Sequence, residues 1–221
     1  MMVRTDAMPS VRRFQEDGTV SNASEAARIV GGGGVIAMPT DSFYALGACA
    51  FNDSAVRRVC VIKGERGEKP ILVLIADRAQ LDELVSSLPP AATVLMDRFW
   101  PGPLTIVLPA SPRLPRALTA GTGTVGVRLP ARPLLVGLLR ATGPLTGTSA
   151  NRSGAAPARS AREVEENLGK EVDLILDGGQ ATATLPSTVV EARDKVRLVR
   201  EGQISREAID TVLAEHGLAL T

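Results

Sequence analysis

Residues 31–47, G-G-G-G-V-I-A-M-P-T-D-S-F-Y-A-L-G, constrain this chain more than any other stretch. A glycine run leads into a short apolar strand at 35–38, and Pro39 stops it, because proline cannot donate to a central ladder. The polar turn Thr40-Asp41-Ser42 follows at the strand's carboxyl end, with the chain's only tyrosine, Tyr44, beside it. Open α/β sheets bind ligands outside the carboxyl ends of their strands. A hydroxyl-rich turn can also do no more than satisfy its own backbone. The residues alone leave both readings open.

The rest of the composition narrows the chemistry by exclusion. At 221 residues, 44% of them hydrophobic and 22% charged, the chain can bury one sizeable core. We expect a loose leader over 1–20, a single domain over 21–215 and a tail over 216–221. A net charge of +1 exerts no general pull on nucleic acid or membrane, although a local basic groove is compatible with it. One Trp, one Tyr and four Phe make a poor stacking platform for single strands. Cys49 and Cys60 are too few for a disulfide framework or a structural zinc site. The apolar run at 71–76 is far too short to span a bilayer, and the N-terminal bases have no apolar stretch behind them. No signal peptide and a cytoplasmic location are the expectation. A Ser-His-Asp, Cys-His or His-metal site would have to be built on His216, the single histidine. The chemistry therefore has to run on lysine, arginine, hydroxyls and backbone amides.

Periodicity and turn chemistry place the elements. Asn22 or Ser24 caps a helix through Val30 that the glycines end. Asn52-Asp53 caps a second, on which Val56, Val59, Cys60 and Lys63 fall at i, i+3, i+4 and i+7. That apolar stripe ends in a lysine. Lys63 either snorkels into water or presents its ammonium at the rim of a pocket. Further strands are expected at 71–75, 104–108, 125–129, 172–176 and 196–199, and 186–190 reads as a turn into another. Helices are expected at 77–84, 91–99, 133–140 and 161–168, and a closing one from Ser205. Residues 146–154 carry five hydroxyl or amide side chains within eight residues, between glycines. That composition suits an anion-cradling loop, and equally a plain surface loop.

Residues 121–126, G-T-G-T-V-G, match G-x-G-x-x-G, but a loop precedes them and a strand follows. The dinucleotide fingerprint needs a strand before and a helix after, so a Rossmann site is rejected. No G-x-x-x-x-G-K-[ST] occurs either, which excludes a P-loop.

Several pieces taken in order carry a resemblance. They are P-T-D-S-F-Y-A-L-G at 39–47, I-K-G-E-R-G-E-K-P at 62–70, F-W-P-G-P-L-T at 99–105 and T-V-G-V-R-L-P at 124–130. They continue with T-S-A-N-R-S-G at 148–154, D-G-G at 177–179, P-S-T-V-V at 186–190 and V-R-E-G-Q-I at 199–204. Together they resemble the YrdC-like L-threonylcarbamoyladenylate synthase family, in its short form without an added C-terminal domain. The resemblance implies an α/β fold: a twisted mixed sheet of the YrdC/RibB-like type, helices packed on it, and a large, concave, positively lined cavity. It implies synthesis of threonylcarbamoyl-AMP and pyrophosphate from L-threonine, bicarbonate and ATP, for N6-threonylcarbamoyladenosine in tRNA. Implied catalytic residues are Lys63, Arg66, Ser149 and Asn151. Threonine would meet Ser42, Tyr44, Arg128 and Ser187. ATP would meet Lys63, Lys69, Thr124, Ser149, Asn151 and Arg200. No protein metal ligands are implied, and Mg²⁺ would arrive on the triphosphate. Implied partners are tRNA or double-stranded RNA and, indirectly, a downstream threonylcarbamoyl transferase, with no membrane.

The chain departs from the family pattern in places. Ser42 stands where threonine is common, keeping the hydroxyl, and Ala45 where glycine is common. Glu65 occupies the usual arginine position, with Arg66 one step later. Leu74 replaces a polar residue of some members. Glu65 favours a non-catalytic relative that binds double-stranded RNA or ribosomes. Joint retention of Ser42, Lys63, Arg128, Ser149, Asn151 and Arg200 favours the enzyme. A hydrogenase-maturation carbamoyl-adenylating domain would need zinc-finger and acylphosphatase modules beside it.

Overall fold

The apolar run after the glycines becomes a central strand buried on both faces. A computed structural model describes residues 9–14, 20–64 and 69–221. Its elements begin with β1 (Ser10–Arg13), α1 (Val20–Gly31), β2 (Ile36–Pro39), β3 (Tyr44–Gly47), α2 (Asp53–Lys63) and β4 (Val73–Leu74). A 3₁₀ turn (Arg78–Gln80), α3 (Leu81–Leu84), α4 (Pro90–Phe99), β5 (Leu104–Pro109), α5 (Arg116–Thr119), β6 (Thr124–Arg128) and α6 (Pro133–Thr142) follow. The chain continues through β7 (Leu145–Thr146), β8 (Thr148–Ser149), α7 (Ala161–Leu168), β9 (Leu174–Asp177), β10 (Thr188–Ala192), β11 (Val196–Arg200) and α8 (Arg206–Ala214).

The expected mixed α/β fold is present, and among the described residues its strands form two mixed sheets. One runs β1-β9-β2-β3-β8 and the other β11-β10-β5-β6-β4-β7. Period-two alternation explains how β2 serves two cores. Ala37 faces the larger apolar cluster, which draws on both sheets and on α2, α4, α7 and α8. Ile36 and Met38 face a second cluster under α1 and α6. β9 does the same, with Ile175 on one side and Leu174 and Leu176 on the other.

Several elements differ from their sequence expectation. Pro39 does not end β2 early; it is its last residue, opposite Tyr44, and Thr40 N closes the turn on Phe43 O at 3.2 Å. β3 was not expected at all, because four fully buried residues show no alternation to read. β4 is shorter than 71–75. Ile71 N donates instead to Leu118 O at 2.8 Å, and Ile75 N to Arg128 O at 3.0 Å. Ser10–Arg13, expected in the loose leader, pair in parallel with β9, and Phe14 is buried. Asn52 caps α2 as expected, accepting from Ala55 N at 3.1 Å. Among the described residues no helix is long and apolar enough to cross a membrane.

The sheets meet where β7 passes directly into β8. The chain leaves one sheet at Thr146 and enters the other at Thr148. Thr146 is fully buried; its Oγ1 accepts from Ala48 N and donates to Leu46 O, both at 2.9 Å. A Cβ on Gly147 would lie 2.6 Å from Leu74 Cγ, so the crossing takes only glycine without rearrangement. Thr146→Val keeps the volume but removes the hydroxyl and with it both bonds, to the Ala48 amide and the Leu46 carbonyl. The expected cost is about 1–3 kcal/mol. Thermal unfolding should show a midpoint several degrees lower, and Thr146→Ser, which keeps the hydroxyl, should lose markedly less.

Candidate functional site

Every residue of β6 is buried, and the strand ends on Arg128, a guanidinium only 3% exposed. A charge removed from water this completely has to be met by built-in partners. Arg128 Nε donates to Gly102 O at 3.0 Å, and Nη1 donates to Ser42 Oγ at 3.3 Å. Nη2 is ion-paired with Asp41 Oδ2. Burial pushes the Arg128 pKa down, and the Asp41 carboxylate opposes that shift. The close approach of the Gly102 carbonyl depends on the missing side chain, since a Cβ there would lie 2.4 Å from Phe99 O.

A second arginine faces the first. Arg200, at the end of β11, donates from Nη2 and Nε to Ser187 O at 2.8 and 3.3 Å. Its pKa is also pushed down, first by burial and then by the positive charge of Arg128. Arg128 is buried and Arg200 exposed, and two like charges that feel one another favour an anion beside them. Ser187 is buried, with its Oγ 3.0 Å from Thr105 Oγ1. Thr188 pins the neighbouring turn: its Oγ1 donates to Ile204 O at 2.6 Å and accepts from Ile204 N and Gly202 N at 2.9 and 3.0 Å. That turn delivers Gln203, whose Nε2 donates to Ser42 Oγ at 3.1 Å. Ser42 Oγ therefore accepts from both Gln203 and Arg128. Both lone pairs are occupied and its own proton is left to donate.

A second group forms at the end of α2. Lys63 is 5% exposed, so it does not snorkel into water. Its Nζ donates to Ser149 O at 2.7 Å and to Asn151 Oδ1 at 2.8 Å, and stands 3.4 Å from Ser149 Oγ. Ser149 Oγ donates to the same Asn151 Oδ1 at 2.5 Å, and Asn151 Nδ2 donates to Arg152 O and Ala155 O at 2.9 and 2.6 Å. Ser153 N closes the loop on Lys63 O at 2.7 Å. The hydroxyl-rich loop is thus wrapped around the lysine head. Ser149 lies opposite Ala45 across β8 and β3, which ties this group to the hairpin carrying Ser42.

Other candidates fall elsewhere. Tyr44 is fully buried and turned onto the D-G-G loop: its hydroxyl donates to Gly179 O at 2.8 Å, stands 3.4 Å from Asp177 Oδ1 and accepts from Gly178 N at 3.2 Å. Thr124 opens β6, four residues and about 13 Å along the strand from Arg128, and shares a hydrogen with Thr122 Oγ1 at 2.8 Å. Lys69 is exposed. Arg66 and Glu65 lie outside the described residues. His216 is set apart on the last turn after α8, its Nδ1 3.0 Å from Val212 O. A concavity of about 590 Å³ lies beside α7, between Arg162 and Glu171, and none of the candidate residues lines it. Among the described residues no group of three or more His, Cys, Asp or Glu could hold a metal ion. Asp41, Gln203 and Thr105 were not assigned roles from sequence. All three sat inside quoted motifs, which was the only signal they carried.

The family model Sua5/YciO/YrdC, described as telomere recombination, matches residues 28–202. The protein named threonylcarbamoyl-AMP synthase of Pyrococcus abyssi is 38% identical over 192 residues, and that of Bacillus subtilis 39% over 193. Each alignment covers 86% of this chain and 56% of the relative, so the chain spans little more than half their length. The crystal structure of P. abyssi Sua5 complexed with L-threonine matches with a TM-score of 0.88 at 34% identity, covering 97% of this chain and 63% of that one.

Burial, aided by the Asp177 charge and opposed by the Gly178 amide, raises the Tyr44 pKa from 10.0 to about 12. In the unfolded chain the phenol ionises near pH 10, whereas in the folded chain it holds its proton to about pH 12. This contribution to stability is complete below pH 10 and is lost as pH rises toward 12, at most about 3 kcal/mol. Urea denaturation at pH 9 and pH 11.5 should show it, and Tyr44→Phe should flatten the slope in that window.

Proposed function

The chain belongs to the Sua5/YciO/YrdC family, and on that premise we propose that it is an L-threonylcarbamoyladenylate synthase. It converts L-threonine, bicarbonate and ATP into threonylcarbamoyl-AMP, pyrophosphate and water, for transfer to tRNA by a downstream enzyme. The observation that carries this reading is the buried Arg128 fork beside a serine whose proton is free to donate. Such a fork suits a carboxylate bidentately. Support also comes from the L-threonine complex of the P. abyssi protein.

In this reading Arg128, Ser42 and Ser187 hold threonine, and Tyr44 acts at one remove by fixing the D-G-G loop. Lys63, Ser149, Asn151 and Arg200 face the nucleotide, with Lys69 and Thr124 as its outer contacts. Arg66 serves in this reading as the functional substitute for the arginine that the family has at position 65. The basic concavity implied by the family is, in this reading, the one that Arg128, Arg200 and Lys63 would line. Carbamate formation and adenylyl transfer need anions positioned and developing charge stabilised rather than a histidine base, which suits this residue set. Mg²⁺ accompanies the triphosphate and screens it.

The test is pyrophosphate release from ATP, which should require both threonine and bicarbonate. Release that threonine does not stimulate would end the reading. Arg128→Lys replaces a fork with a point charge. Calorimetry should then show threonine affinity falling about tenfold or more, roughly 1.4 kcal/mol, with ATP binding nearly intact. A thermal unfolding trace of the variant separates lost recognition from lost fold.

A further inference from the structure

Asp41 has a job beyond neutralising Arg128. Its side chain is one-fifth exposed, yet Oδ1 is buried and meets no donor among the described residues. Oδ2 takes the Arg128 ion pair, and the Ala131 amide reaches it only at 3.5 Å. On the other side, Arg128 Nη2 is buried without an aligned hydrogen-bond acceptor, although the Asp41 charge stands against it. An arginine and a carboxylate that existed only for each other would close as a fork-to-fork pair with both oxygens used. This pair engages one Asp41 oxygen and leaves the other open beside the guanidinium.

The arrangement around that point is amphoteric. Arg128 Nη2 and the Ser42 hydroxyl are donors, and Asp41 Oδ1 is an acceptor carrying negative charge. A lone carboxylate would satisfy the donors but would have to face the Asp41 carboxylate with nothing between them. A lone cation would satisfy Asp41 but would meet Arg128 and the nearby charge of Arg200. A zwitterion satisfies both signs at once. Asp41 adjoins Ser42 in one tight turn, pinned by Thr40 Oγ1, which accepts from Ser42 N at 3.0 Å and donates to Phe43 O at 2.7 Å. Acceptor and donor are therefore presented from a single rigid segment.

We propose that Asp41 Oδ1 receives the α-ammonium of the amino-acid ligand, so that Asp41 selects α-amino acids over acids lacking the amine. This rests on the reading of the Arg128 site as an amino-acid site. It adds a specificity-determining residue that touches the nitrogen to be carbamoylated. It also gives the ion pair a reason to stay incomplete until that ligand binds.

The probes are L-threonine and 3-hydroxybutanoate, which keeps the carboxylate and hydroxyl of threonine and lacks the amine. Calorimetry on the full chain and on Asp41→Asn reads both. Wild type should prefer threonine by at least about tenfold, and Asp41→Asn should lose about tenfold for threonine while leaving 3-hydroxybutanoate unchanged. An equal loss for both ligands would make Asp41 a strut for Arg128. An equal gain for both would make it a competitor for the ligand's carboxylate. Either result overturns the proposal, as does an unchanged preference. If Asp41→Asn does not fold, the wild-type preference decides alone, and one below tenfold sinks the idea. A wild type that binds 3-hydroxybutanoate and threonine equally refutes Asp41's role while leaving the carboxylate site standing. One that binds neither removes the functional reading, and this inference with it.

Discussion

The arrangement of the molecule around its site follows from one buried charge. Arg128 has lost almost all contact with water at the end of a strand that is itself fully buried, and burying a lone ion costs several kcal/mol. That cost is offset by groups from two other segments: the Gly102 carbonyl of the W-P-G-P loop, and Ser42 and Asp41 of the β2–β3 turn. Those loops cannot drift without uncovering a guanidinium. Conversely, the guanidinium cannot be replaced by an apolar side chain without leaving the Gly102 carbonyl and the Asp41 carboxylate without it. The same interaction that fixes the loops holds the site in a defined shape.

Buried hydroxyls do for the backbone what Arg128 does for the loops. Thr146 holds the point where the chain passes from one sheet to the other, and Thr188 holds the turn that delivers Gln203. Each sits in a closed pattern of donors and acceptors, and such satisfied networks rigidify their surroundings. Glycines complete the joints where backbones approach too closely for a side chain. A Cβ on Gly202 would lie 2.3 Å from Pro186 O, and one on Gly178 would lie 2.6 Å from Pro39 Cγ. Tyr44 belongs to this class: its hydroxyl ties β3 to the loop after β9.

Cations and hydroxyls, rather than a nucleophile and a base, make up most of both groups in the candidate site. Arg128 and Arg200 form one group, and Lys63 with Ser149 and Asn151 the other. Groups of this kind stabilise charge that is already present or developing, provided they are held still. About half of the hydrogen bonds that hold them run to backbone carbonyls, so part of the electrostatics is built into the chain path.

The sequence by itself determined what depends on neighbours a few residues apart. The helix from Asp53 to Lys63, its Asn52 cap and its apolar stripe followed from spacing alone, as did the strand begun at Leu104. The ordered motifs also placed Ser42, Lys63, Arg128, Ser149, Asn151, Ser187 and Arg200 among the candidates before any contact was known. Tertiary structure decided everything carried by distant pairs. Whether Lys63 met water or a pocket depended on a loop 86 to 88 positions away. Ser42 is reached by Arg128 across 86 positions and by Gln203 across 161, so no local pattern could show that its proton is left to donate. Tyr44, two residues after Ser42, turns onto the D-G-G loop 133 to 135 positions away, a contact that a strand so short and so buried could not announce from its own residues. Local periodicity encodes which face a side chain takes within an element. Which partner waits there is set only when the sheets have closed.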